Sequence, residues 1–117
     1  MGFLTTHVLD TAQGVPAQGM AVRLYRRQGE QRELIVATYT NDDGRCDSPI
    51  LPSDGFVIGE YELEFAAGDY FRNVGISLPE PAFLDIVPIR FGIADAESHY
   101  HVPLLVSPYS FSTYRGS

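Results

Sequence analysis

The sequence predicts an antiparallel β-sandwich. Two observations carry that expectation: short runs of alternating apolar and polar residues, and turn signals between them at intervals of ten or so residues. The 117 residues include 11 glycines and 8 prolines and no run of helix formers. That length suits one domain, residues 1–117, with a core of its own.

Taken in order, "LTTHVLD" (Leu4 to Asp10) alternates and is rich in β-formers, so it reads as a strand. "TAQGVPAQG" is turn chemistry. Met20 to Arg27 sets Met20, Val22 and Leu24 against Ala21, Arg23 and Tyr25, as a half-buried strand does. Glu33 to Thr40 is a second β run, and "QGEQR" between the two reads as a loop or hairpin. "NDDGR" (Asn41 to Arg45) is a strong turn signal. In "GEYELEFAAG", Tyr61, Leu63 and Phe65 share one face, and Glu60, Glu62 and Glu64 the other, which reads as a solvated outer face. Gly68 to Gly75 is the one candidate for a short helix, closed by Gly75. A strand follows around Leu84 to Ile93, where Pro88 suggests an edge or a bulge. Two last strands part at Pro108.

Composition narrows the function. A net charge of −7 argues against a nucleic-acid surface, which is basic. All 8 basic residues are arginines, which rules out lysine Schiff-base chemistry and leaves planar, bidentate recognition of anions. A single cysteine, Cys46, excludes an intrachain disulfide. No basic leader and no long apolar run are visible, so a cytoplasmic protein without a membrane span is expected.

The chemistry-bearing types are few. His99 and His101, in "HYH", project to the same face of a strand, and Tyr100 to the other. Two adjacent imidazoles disfavour double protonation, which leaves neutral histidine as a base near neutral pH. The plain alternative is two surface histidines. With His7 the pair also fits a three-histidine zinc pattern. Arg45 follows the Asp-Gly turn and matters only if the fold brings it to the histidines. Cys46 beside it reads as a small buried hydrophobe more readily than as a nucleophile. No phosphate loop and no nucleophile elbow are found.

Together, "THVLD", "TNDDGR", "GDYFRN", "HYHVPLLVSPY" and the terminal "STYRGS" resemble the 5-hydroxyisourate hydrolases, the transthyretin-like enzymes of urate degradation. The resemblance runs from about Leu4 to Ser117, and "YRGS" is its most specific part, since the hormone carrier of the same fold lacks both that ending and the "HYH" pair. It implies a transthyretin-like sandwich of two four-stranded sheets with one short helix. It further implies a homotetramer, a dimer of dimers, with sites in the channel between dimers. No cofactor and no metal are implied, and the zinc pattern recedes accordingly. The functional positions carried over are His7, Arg45 and His101 as the catalytic set, with His99, Tyr114, Arg115, Gly116 and Ser117 toward the substrate. A non-catalytic small-molecule carrier of the transthyretin type is the competing expectation.

Overall fold

A computed structural model describes residues 2–116. Eight strands and one helix are found: β1 (Leu4–Asp10), β2 (Val15–Pro16), β3 (Ala21–Gln28), β4 (Gln31–Tyr39), β5 (Gly59–Ala66), α1 (Ala67–Asn73), β6 (Ile86–Ile93), β7 (Tyr100–Val106) and β8 (Phe111–Thr113). They form two four-stranded sheets, ordered β2-β1-β7-β8 and β4-β3-β5-β6. The helix ends in a Schellman arrangement: the Ile76 amide donates to the Phe71 carbonyl and the Gly75 amide to Arg72.

Alternation does what it predicts along most strands. Leu4 and Val8 of β1, Val22 and Leu24 of β3, Tyr61, Leu63 and Phe65 of β5, and Val102, Leu104 and Val106 of β7 all point between the sheets and are buried. Burying one such side chain contributes about 1.5–3 kcal/mol. Pro88 lies in β6, an edge strand, where its missing amide costs no ladder bond. Asp10 is also buried, yet fully partnered. Its carboxylate accepts from the Ala12 and Gln13 amides, from Gln13 Nε2 and from the Tyr70 hydroxyl, which ties α1 to the end of β1.

Three details differ from the expectation. The "TAQGVPAQG" turn contains the two-residue strand β2, paired with Leu9 and Asp10. The sandwich is not wholly antiparallel, because β1 and β7 run parallel, with Thr5 level with His101 and His7 level with Pro103. Strands from near the two ends of the chain thus meet at the centre of one sheet, as a long-range crossover permits. The outer glutamate face is not uniformly solvated. Glu62 is only 3% exposed and is directly opposite Arg90. Its carboxylate accepts from Arg32 at 2.6 Å and Arg90 at 3.0 Å, so Arg90 of the neighbouring β6 and Arg32, reaching across β3 from β4, cover it.

Candidate active site

The site grows from the outward face of the first sheet. On β1, burial alternates so that Thr5 and His7 face away from the core while Leu4, Thr6 and Val8 face into it. On the adjoining β7, Tyr100 and Val102 face in, and His99 and His101 lie on the outer side. The parallel register then sets Thr5 between the two imidazoles: its hydroxyl is 2.9 Å from His99 Nε2 and 2.8 Å from His101 Nδ1. The His99 ring also stacks on Phe3, centroids 4.1 Å apart.

Arg45 is delivered by the loop that lies along β1. The Val8 amide donates to the Gly44 carbonyl at 2.7 Å, and His7 and Arg45 face each other across this isolated bridge. Gly44 sits at φ 76°, and a Cβ there would come within 2.4 Å of the Val8 carbonyl, so only glycine lets the loop approach. Asn41 braces the turn, its Oδ1 accepting from the Asp43 and Arg45 amides. No carboxylate among the described residues pairs with the Arg45 guanidinium. That leaves its planar fork available to a ligand.

A cleft of about 450 Å³ lies between these parts, walled by Thr5, His99 and His101 on one side and by the Arg45-to-Pro49 loop on the other. His7 does not line it but stands beside Arg45, and its Nε2 is 2.9 Å from the Asp43 carbonyl. A carbonyl only accepts, so His7 carries its proton on Nε2 and its Nδ1 is bare when the ring is neutral.

The last described residues reach His101. β8 pairs with β7 in the register Leu104 to Thr113, and the same register carries on to His101 and Gly116. The Gly116 amide donates to the His101 carbonyl at 2.7 Å. A Cβ on Gly116 would lie 2.7 Å from His101 Cδ2, so the backbone packs directly on the imidazole. Arg115, on the other side of this strand, stacks 4.0 Å over the Tyr100 ring. Tyr114 is 60% exposed. Within one chain neither Tyr114 nor Arg115 lines the cleft; both border a separate hollow of about 220 Å³ with Ile89 and Phe91. Ser117 lies outside the described residues.

Burial holds the His101 imidazole below its ordinary pKa, with the Arg45, His99 and His7 charges acting in the same direction. The mutual effect of the histidines is therefore present but secondary to desolvation. Burial, with help from Asp47, pushes the Cys46 thiol up, which keeps it protonated and a poor nucleophile. The three-histidine zinc pattern finds no ligand set: among the described residues no three His, Cys, Asp or Glu side chains are grouped to hold a metal ion. Thr5 was not singled out from the sequence. Its signal was there, two residues before His7 and hence on the same strand face, but only the β1–β7 pairing shows what it meets.

Fold and site together define a class: a transthyretin-like β-sandwich with a cleft lined by two histidines and an arginine on the outer face of one sheet. The chain belongs to the HIUase/Transthyretin family, which matches residues 4–116. It is 64% identical over 116 residues to 5-hydroxyisourate hydrolase 2 of Rhizobium meliloti (strain 1021), covering 99% of this chain and 97% of that protein. With 5-hydroxyisourate hydrolase of Pseudomonas aeruginosa it shares 63% over 117 residues, covering 100% and 93%. Among solved structures it resembles Klebsiella pneumoniae 5-hydroxyisourate hydrolase, with a TM-score of 0.81 and 33% identity over 100% of both chains. It resembles sea bream transthyretin in complex with thyroxine with a TM-score of 0.84 and 26% identity, over 97% of this chain and 93% of that one. An (S)-allantoin synthase structure matches with a TM-score of 0.92 and 50% identity over 99% of this chain, which spans 44% of that longer one.

Proposed function

We propose that this chain, as one domain, hydrolyses 5-hydroxyisourate to 2-oxo-4-hydroxy-4-carboxy-5-ureidoimidazoline in urate degradation. The observation that carries the reading is the convergence of His101, His99 and Arg45 on one cleft, with the Gly116 backbone packed on His101 and His7 beside Arg45. Relatives called 5-hydroxyisourate hydrolase at 63–64% identity favour it over a carrier of the transthyretin type.

The reaction opens a cyclic amide-type C–N bond. Water attacks the ring carbonyl as His7 or His101 takes its proton, which a neutral imidazole does well near pH 7. The carbonyl oxygen becomes an oxyanion, and the Arg45 guanidinium stabilises it. The tetrahedral carbon then expels the ring nitrogen, which receives a proton from the imidazolium. His99 binds the substrate or tunes the pair. Arg115 anchors the tail through Tyr100, Gly116 lets that tail close on His101, and Tyr114 and Ser117 complete the substrate side. The chain supplies the acid, the base and the positive charge, and the chemistry calls for no cofactor.

The working form in this reading is a cytoplasmic homotetramer, a dimer of dimers with the clefts at the interface between dimers. Two features support assembly. β6 and β8 are sheet edges with unpaired backbone. Phe111, Tyr109 and Tyr114 are exposed around the second of them.

The test is to follow the ultraviolet absorbance of freshly made 5-hydroxyisourate. Purified protein should accelerate its loss, and His101→Ala and Arg45→Ala should each abolish most of that acceleration. Parent-like rates in both variants would refute the assignment.

A further inference from the structure

We infer that Thr5 is a positioning residue that couples the protonation of His99 and His101 and relays a proton between them. The inference rests on the hydrolytic reading of the cleft for its catalytic part and on geometry alone for the coupling.

The Thr5 hydroxyl is within hydrogen-bond distance of two ring nitrogens at once, 2.9 Å to His99 Nε2 and 2.8 Å to His101 Nδ1. A hydroxyl has one proton to donate. The oxygen also has two lone pairs, so both bonds are made whenever at least one ring presents N–H to it, and the excluded arrangement is two bare nitrogens facing the hydroxyl. The two rings are therefore coupled: when the nitrogen that one of them turns to Thr5 is bare, the other must carry a proton. In one state His99 Nε2–H donates to Thr5, Thr5 donates to bare His101 Nδ1, and His101 holds its proton on Nε2. In the other, His101 Nδ1–H donates to Thr5, Thr5 donates to bare His99 Nε2, and His101 Nε2 is free to act as a base.

The second state has a consequence for turnover. When His101 Nε2 accepts a proton from water, its Nδ1 proton passes to Thr5 Oγ1 as the Thr5 hydroxyl proton passes to His99 Nε2. His101 ends neutral and His99 ends as the imidazolium, with every proton accounted for. Burial opposes charge on His101, and the relay moves that charge one ring away. The parts are held in place for this. Phe3 stacks on His99, the Gly116 backbone packs on His101, and Thr5 has the restricted rotamer of a β-branched residue in the middle of a sheet. The other titratable or charged groups facing the pair are His7 on β1, Arg45, Cys46 and Asp47 on the loop, and Arg115, whose Nη2 is 3.4 Å from the His99 carbonyl.

The experiment uses the full chain with Thr5→Val, which keeps the branched shape without the hydroxyl, and Thr5→Ser, which keeps the hydroxyl. Ring-nitrogen NMR of 15N-labelled protein, without substrate, should show that His99 Nε2 and His101 Nδ1 are never both bare in the parent and in Thr5→Ser, and that their protonation is independent in Thr5→Val. With 5-hydroxyisourate, Thr5→Val should lower kcat about tenfold, less than the roughly 10²- to 10⁴-fold of a group that itself transfers the proton to substrate, with KM changed less than about twofold, and Thr5→Ser should restore most of it. Uncoupled rings in the parent, or a Thr5→Val protein with parent kcat and pH profile, would overturn the relay. An inactive parent whose rings remain coupled would instead refute the hydrolase reading and leave the coupling standing.

Discussion

Gly116→Ala isolates the contribution of the last strand. The added Cβ would lie 2.7 Å from His101 Cδ2 and 3.3 Å from its Cβ and Cγ. Carbon atoms pack at about 3.5–4.0 Å, so the imidazole or the strand must move by roughly 0.8–1.3 Å. The strand is pinned by the 2.7 Å bond from the Gly116 amide to the His101 carbonyl. The imidazole is held by Thr5 at 2.8 Å. Whichever yields, the ring loses either its backing or its hydroxyl partner. A displacement of about 1 Å in a reacting group costs on the order of a hundredfold in rate. The stability cost is small by comparison, about 1 kcal/mol for one edge hydrogen bond. The assay is kcat for 5-hydroxyisourate loss beside a thermal melt of the same sample. The expected outcome is a 10- to 100-fold fall in kcat with Tm lower by about 4 °C. A kcat within twofold of the parent, or a loss of activity matched by unfolding, would refute the claim that Gly116 is there for His101.

Other outcomes follow from the same geometry. His101→Ala and Arg45→Ala should each lower kcat by at least about a hundredfold, the scale of losing a general base or an oxyanion donor, with melts near the parent's. Because the folded His101 pKa is depressed below 6.5, its ring stays neutral to lower pH than in the unfolded chain, so kcat/KM should rise with pH through a midpoint below 6.5. By the same sign, the stability His101 contributes is present above 6.5 and is lost as pH falls toward its folded value, which urea melts across that window will read. Tyr70→Phe should cost about 1 kcal/mol and Asp10→Ala about 3 kcal/mol or more in urea melts, because the second leaves a buried hydroxyl and two backbone amides without their acceptor.

What was legible in the sequence is what repeats along a single strand. Alternation gave the inward faces of β1, β3, β5 and β7, and "HYH" put two histidines on one face, because a strand's period of two is a local property. What was not legible depends on pairing between strands. Glu62 is solvent-facing by alternation yet 3% exposed, because Arg90 from β6 and Arg32 from β4 close over it. The parallel β1–β7 register, with a sequence separation of 96 from Thr5 to His101, leaves no local trace, so Thr5 looks like any strand threonine. The tail was legible only through resemblance, and pairing explains its order: Gly116 extends the β7–β8 ladder.

The same register argument explains how one fold serves both a hydrolase and a carrier. Sea bream transthyretin keeps this architecture at 26% identity. Thr5, His7, His99 and His101 all lie on the outer side of a sheet whose inner side packs through Leu4, Val8, Val102 and Leu104. Arg45 rides on a loop and Gly116 on an edge, so none of these six residues belongs to the core. Replacing outward residues leaves the inward alternation untouched, and surface substitutions away from buried features usually shift stability by less than about 0.5 kcal/mol. Chemistry on this face can therefore be gained or lost without refolding the protein. The two glycines are the exception, because Gly44 and Gly116 bring backbone against backbone or ring where any side chain would collide. They, rather than the histidines, tie the reactive face to this particular fold.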